Sequence, residues 1–164
     1  MTRFEKVSKK QYEKALDTLL APHLSYSYDD IKTPVRATTG SSGYDFFAPF
    51  DFSLNPGETI TIPTGIRMKT DHQIWLLCMP RSGLGFKYRM QLDNTVGNID
   101  SDYWKSDNEG HIMAKITNDS RQDKTLDVKA GMAFMQGVIL PYMTVDDDTA
   151  CGDRNGGFGS TGGI

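Results

Sequence analysis

Apolar and polar positions divide the chain into two textures. In the opening stretch Phe4, Val7, Ala15, Leu16, Leu19 and Leu20 fall near one helical face. Thr2 and Glu5 have the spacing of a capping box, and Pro22 ends the run. The pattern predicts a short helical extension over residues 1–22. Such a helix either packs on the main domain or forms an arm that docks a partner. From about Val35 onward, short β-forming segments alternate with Gly, Pro, Asn and Asp. The clearest are Thr59–Ile62, Ile74–Met79, His111–Ile116 and Ala133–Leu140. Asn55-Pro56-Gly57 reads as a turn. Many short strands with frequent turns predict an all-β sandwich or barrel over residues 23–150. Strands do not alternate with helices, which disfavours Rossmann and P-loop folds. The last segment, 151–164, is too glycine-rich for a strand or helix and reads as a mobile tail.

Bulk properties narrow this picture. A chain of 164 residues fits one domain with a core of its own. An apolar fraction of 38% and a charged fraction of 24% are those of a soluble chain. No apolar run approaches the roughly 20 residues of a membrane helix. No apolar segment follows Met1-Thr2-Arg3, so a signal peptide is not expected and the cytoplasm is. Two reduced thiols, Cys78 and Cys151, suit that compartment. The net charge of −3 lacks the basic excess of a nucleic-acid binder, yet permits a small phosphorylated ligand.

Four segments carry candidate chemistry. The tail holds Arg154, five glycines between Gly156 and Gly163, Phe158, Ser160 and Thr161. Glycine N–H groups and hydroxyls can approach phosphates, Arg154 offers a planar fork, and Phe158 can stack on a base. A functionless terminus has the same composition. Pro80-Arg81-Ser82-Gly83-Leu84-Gly85 follows an apolar strand and reads as a strand-end turn able to present a cation and a hydroxyl to an anion. Asn94 to Tyr103 reads as a hairpin with Gly97-Asn98 as its turn pair. Its carboxylates Asp100 and Asp102 share a face in a regular strand and are candidate general bases, or simply solvated acids. Asp146-Asp147-Asp148 is either a cation site or an acidic spacer. His23, His72 and His111 are scattered, and no Cys-x-x-Cys, Gly-x-Ser-x-Gly or zinc-deaminase pattern occurs.

The order of these segments resembles the five motifs of the homotrimeric all-β dUTP pyrophosphatase (dUTPase) family. Gly43-Tyr44-Asp45-Phe46-Phe47-Ala48-Pro49 is similar to the first and Pro80-Arg81-Ser82-Gly83-Leu84 to the second. Gly97-Asn98-Ile99-Asp100-Ser101-Asp102-Tyr103, with Asn94 ahead of it, resembles the third. Gly131 to Gln136 resembles a divergent fourth, and Arg154 with Gly156 to Gly162 the fifth. The resemblance implies a distorted jelly-roll or β-clip barrel with a short N-terminal helix and a flexible glycine-rich tail. It implies trimers whose sites are built from several chains, and hydrolysis of dUTP to dUMP and pyrophosphate with Mg²⁺. Asp100 would activate the attacking water. The triphosphate and waters, rather than side chains, would hold the ion. Asn94, Gly97 and Ile99 would read the uracil edge, and Tyr103 would exclude a 2′-hydroxyl. Arg81, Ser82, Gly83 and Gln136 would serve the phosphates or the subunit contact, with Asp45 in support. Arg154, Phe158, Gly159, Ser160 and Thr161 would close over the substrate. No direct nucleic-acid or membrane contact is implied.

Three departures from the motifs stand out. Ala133 occupies the place of a usual arginine. Ser42 replaces a common alanine. Trp104 to Glu109 intervenes before Gly110, like a hairpin insertion that would form a lip beside the sugar pocket. Such extensions occur in phage and Firmicute members, so a phage origin acting in the host cytoplasm is the matching expectation. Two alternatives remain. A dCTP deaminase of the same fold would use a glutamate on the strand after the hairpin, where Ile112 to Thr117 has none. A regulatory protein of this fold would bind a repressor, or be bound by an inhibitor protein, through the Trp104–Gly110 lip.

Overall fold

The computed structural model describes residues 1–19 and 27–156. Eleven strands and two short helices follow one another among them. They are β1 (Arg3–Lys6), α1 (Lys9–Thr18), β2 (Gly43–Phe47), β3 (Phe52–Leu54), β4 (Thr59–Pro63), β5 (Ile66–Lys69), β6 (Ile74–Pro80), α2 (Ser82–Tyr88), β7 (Met90–Leu92), β8 (Gly97–Ile99), β9 (Met113–Asn118), β10 (Leu126–Val128) and β11 (Ala133–Pro141). All pairings are antiparallel. The sheets run β2-β11-β6-β8, β4-β9-β7, β1-β5 and β10-β3. The mostly β architecture agrees with the expected jelly-roll class. The expected barrel does not form, because no strand pairing links these four sheets into a closed ring among the described residues.

The four strands anticipated from short β-forming segments are present as β4, β6, β9 and β11, with β9 beginning at Met113 rather than His111. Alternation sets the buried face: in β3, β7 and β10 the outer residues are buried and the middle one exposed. Phe46, Phe50, Ile62, Met68, Leu76, Ile116 and Phe134 form one continuous core.

The N-terminus departs from expectation. Residues Arg3–Lys6 are a strand on β5, not the first turn of a helix. A run of four residues satisfies both periods, and burial decides between them. Phe4 packs at 5.2 Å from the Tyr44 ring and 5.6 Å from the Phe46 ring. Thr2 is paired with the Thr70 hydroxyl, at 2.8 Å, and Glu5 with Arg67, at 2.9 Å, so neither caps a helix. The N-cap is Ser8, whose Oγ accepts from Gln11 N at 3.1 Å. The helix then buries Tyr12 and Leu16 in the common core, each contributing roughly 1.5–3 kcal/mol. Leu20 and Pro22 lie outside the described residues.

The inserted segment is not a free lip. Tyr103–Lys105 is a 3₁₀ turn. Trp104 Nε1 donates to Thr70 O at 3.1 Å, and Lys69 Nζ sits 4.6 Å from the indole centroid. Glu109 accepts from Ser8 N at 2.8 Å. These bonds lay the insertion against β5 and the start of α1.

Candidate active site

The segment after β7 turns earlier than the sequence implied. Thr95 N donates to Leu92 O at 2.8 Å, and Thr95 takes φ 70°. The bend is therefore centred on Asp93-Asn94-Thr95, and Gly97-Asn98 is not a turn pair. Gly97 instead begins β8, opposite Cys78 of β6. A Cβ at Gly97 would lie 3.0 Å from Cys78 Cβ. The glycine is there because two strands approach closely, not because the chain reverses. Cys78 is 1% exposed, and burial pushes its thiol up to about 12, so it stays protonated.

Past β8 the strand does not continue, yet Asp100 and Asp102 still converge. Arg154 Nε donates to Asp102 Oδ1 at 3.0 Å, and Arg154 Nη2 pairs with Asp100 Oδ2. The guanidinium also lies 5.8 Å from the Tyr103 ring centroid. Both carboxylates are half-exposed, whereas the Arg154 side chain is 18% exposed.

A cavity of about 260 Å³ opens here, lined by Asn94, Gly97, Ile99, Asp100, Tyr103 and Arg154 together with Val96, Asn98 and Met113. Six residues singled out from sequence thus line one cavity. A wider cleft adjoins it, where Trp75, Ser101 and Tyr142 join Asp100, Asp102 and Arg154. Trp75 and Tyr142 were missed; Trp75 belongs to β6 and Tyr142 directly follows β11, and the β6–β11 pairing brings them to one end of the sheet. Only Ser101, caught between the two aspartates, had a signal in sequence.

Tyr103 is 7% exposed. Its hydroxyl donates to His111 O at 3.2 Å and accepts from Asn108 Nδ2 at 2.8 Å. Burial pushes this phenol above its ordinary range, against the lowering effect of the Asn108 bond. His111 itself is buried. Its Nε2 accepts from Gly65 N at 2.8 Å, and desolvation pulls the imidazole down to about 4.

The second group of predicted residues gathers elsewhere. Arg81 Nε lies 3.4 Å from Asp45 Oδ1, and Arg81 N donates to Phe134 O at 3.2 Å. Gln136 stands opposite Asp45 on β11. Ser82 and Gly83, expected in a strand-end turn, open helix α2 and are exposed. Ala133 sits at the edge of a bulge in β11. Asp100 lies beyond the Trp75 end of β6, while Arg81 leaves its Pro80 end. Six residue steps put roughly 20 Å between these ends. Within one chain Asp100 and Arg81 therefore stand at opposite ends of β6.

Phe158, Gly159, Ser160 and Thr161 lie outside the described residues, as does His23. Cys78 and Cys151 are both free thiols. Among the described residues no three His, Cys, Asp or Glu side chains converge in a metal-binding group. No helix of the described residues is long and apolar enough to cross a membrane.

A sequence model of the dUTPase family matches residues 29–162. The deoxyuridine 5′-triphosphate nucleotidohydrolase of Lactococcus lactis subsp. lactis is 37% identical over 140 residues, covering 84% of this chain and 92% of its own. That of Burkholderia ambifaria is 42% identical over 137 residues, covering 79% and 88%. The crystal structure of dUTPase from Streptococcus mutans superposes with a TM-score of 0.67 at 28% identity, over 87% of this chain and 98% of that one. The dUTPase of Staphylococcus bacteriophage 80alpha, solved with dUPNHPP, gives a TM-score of 0.64 at 21% identity, over 99% and 98%. The motif order, the β architecture and the extent of these matches agree: the chain belongs to the dUTPase family.

Proposed function

We propose that this chain hydrolyses dUTP to dUMP and pyrophosphate, limiting uracil incorporation into DNA and supplying dUMP for dTMP synthesis. The observation that carries the reading is the cavity of about 260 Å³ whose lining brings together Asn94, Gly97, Ile99, Tyr103, Asp100 and Arg154. Backbone groups of residues 94–99, with the Asn94 amide, pair with the uracil edge. A site that hydrogen-bonds a base rejects an analogue lacking the matching group by about 10⁴-fold in good cases. The Tyr103 ring lies against the deoxyribose and excludes a 2′-hydroxyl. Asp100 takes a proton from water, which attacks the α-phosphorus in line with the departing pyrophosphate.

Arg154 leaves the carboxylates for the γ-phosphate, where its fork matches phosphate oxygens. The glycine-rich segment after it closes over the substrate and excludes water. Mg²⁺ suits this arrangement, because phosphate and water oxygens are its preferred ligands. Asp100 and Asp102 would offer carboxylate acceptors toward the ion's water shell. When bound, the ion neutralises charge on the pyrophosphate.

Arg81, Ser82 and Gln136 approach the phosphates of a neighbouring chain's site in a homotrimer, with Asp45 orienting Arg81. The roughly 20 Å between the ends of β6 favours that shared construction. A cytoplasmic setting is part of the proposal, in keeping with two unpaired cysteines.

The test is pyrophosphate release from dUTP, dTTP, dCTP and UTP with Mg²⁺. Turnover of dUTP alone is expected. Comparable turnover of dTTP would remove the uracil-edge assignment.

A further inference from the structure

We infer that Asn108 is a positioning residue for Tyr103, and that Trp104–Gly110 is a strap that fixes the sugar-side wall of the cavity. The inference rests on the proposed reading of Tyr103 as that wall.

The strap is bonded at each of its parts. Asn108 Nδ2 donates to the Tyr103 hydroxyl at 2.8 Å, and Asn108 Oδ1 accepts from Gly110 N at 3.0 Å. Asn108 O accepts from His111 N at 3.1 Å. The amide therefore has one end on its own loop and the other on the phenol, so it cannot turn without losing a bond. Since the amide donates, the phenol donates onward to His111 O at 3.2 Å. Two bonds of fixed direction hold the ring's far end.

Gly110 takes φ 71°, and a Cβ there would meet Trp104 Cα at 2.4 Å. Only glycine lets the strap close on its own start. Glu109 takes φ 60°, a left-handed conformation unfavourable to a glutamate. Its carboxylate accepts from Ser8 N at 2.8 Å and Ser8 Oγ at 2.5 Å, and faces Arg67 at 3.8 Å. The surroundings thus hold an unfavourable backbone in place. Trp104 anchors the other end on Thr70 O. The N-terminal extension and the insertion are in this sense one device, joined at Ser8–Glu109 and ending at Tyr103.

A ring pinned at its hydroxyl has no freedom to swing away from a 2′-hydroxyl. A ring left with the single bond to His111 O has more. Loss of Asn108 should therefore admit ribose rather than weaken the base contacts.

Steady-state constants for dUTP and UTP would be measured on Asn108→Ala, Tyr103→Phe and the double variant, with melting curves for each. The inference expects the dUTP-to-UTP ratio of kcat/KM to fall roughly five- to tenfold in Asn108→Ala, mainly through a lower KM for UTP. Tyr103→Phe removes both of the phenol's bonds, to Asn108 and to His111 O, and keeps the ring. It should lower the ratio at least as much, and the double variant should fall no further than Tyr103→Phe alone. An unchanged ratio in folded Asn108→Ala overturns the inference, as does full additivity in the double variant. A Tyr103→Leu variant separates the two layers. If it lowers the ratio while Asn108→Ala does not, the wall stands and the strap fails. If Tyr103→Leu leaves the ratio unchanged, the wall itself fails and the inference falls with it.

Discussion

Arg154 and Asp100, 54 residues apart in sequence, form an ion pair within one chain. The same guanidinium reaches Asp102 at 3.0 Å. In the proposed mechanism this pairing is what a bound triphosphate replaces, so Arg154 exchanges two carboxylates for a more highly charged partner.

Replacing Arg154 by Ala should therefore affect substrate more than fold. Ion pairs to half-exposed carboxylates contribute about 1 kcal/mol at most, which shifts Tm by roughly 2–4 °C in a chain of this size. Loss of a bidentate phosphate contact and of alignment should lower kcat/KM for dUTP about 100-fold. Lysine should restore only part, since it lacks the planar fork. Steady-state kinetics beside a melting curve separates the two effects. An Arg154→Ala enzyme with unchanged kcat/KM would exclude Arg154 from the phosphate site.

Asp100→Asn should bind dUTP but turn it over about 10²–10⁴-fold more slowly. The amide keeps the shape and loses the base. Calorimetric titration with dUTP and pyrophosphate release measure the two halves independently. Full turnover would remove Asp100 as the base.

Gly97→Ala should raise KM for dUTP. The added methyl meets Cys78 Cβ at 3.0 Å, and Cys78 is buried in the core. Strand β8 must then shift by a fraction of an ångström, carrying the base-reading backbone with it. Overpacking costs about 1–3 kcal/mol of stability, and a displaced wall should cost roughly tenfold in KM. A variant with lower stability but wild-type KM would show that β8 does not hold the base.

His111 gives the fold an acid limit. Burial lowers its pKa from 6.5 to about 4, with Glu109 opposing that shift. The unfolded chain therefore binds a proton more readily than the folded one between these values. The associated stability, on the order of 3 kcal/mol, is complete above pH 6.5 and is lost as pH falls toward 4. Urea unfolding at pH 7 and pH 5 should show the loss. His111→Gln, which retains an acceptor for Gly65 N, should flatten the pH dependence in that window. An unaltered slope would assign the acid limit to other groups.

The strands were legible because runs rich in β-branched and aromatic residues stand between Gly, Pro, Asn and Asp turn residues. Thr59–Ile62 and Ala133–Leu140 reappear as β4 and β11. Arg3–Lys6 was not legible, because this mostly charged run has no turn residues around it, and only packing of Phe4 against Tyr44 and Phe46 decides. Gly97 misled for a related reason. A glycine beside Asn98 has turn chemistry, but the need for it comes from Cys78 on a distant strand. Asp100, Tyr103 and Arg154 could be named from motif order, whereas their contact, and the arrival of Trp75 and Tyr142 beside them, depends on pairings that no local pattern encodes. The bond from Asn108 to Tyr103 was invisible for the same reason, although its two residues are only five apart.

The length of β6 has a consequence for mixed populations. On the shared-site reading, each chain supplies a base at one end of the strand and a phosphate contact at the other, and these serve different sites. A chain damaged at Asp100 still lends a sound Arg81, and a chain damaged at Arg81 still lends a sound Asp100. Two inactive alleles expressed together would then regain some intact sites, while either alone would regain none. The number of working centres would follow from how subunits are drawn at assembly, not from the fraction of sound chains.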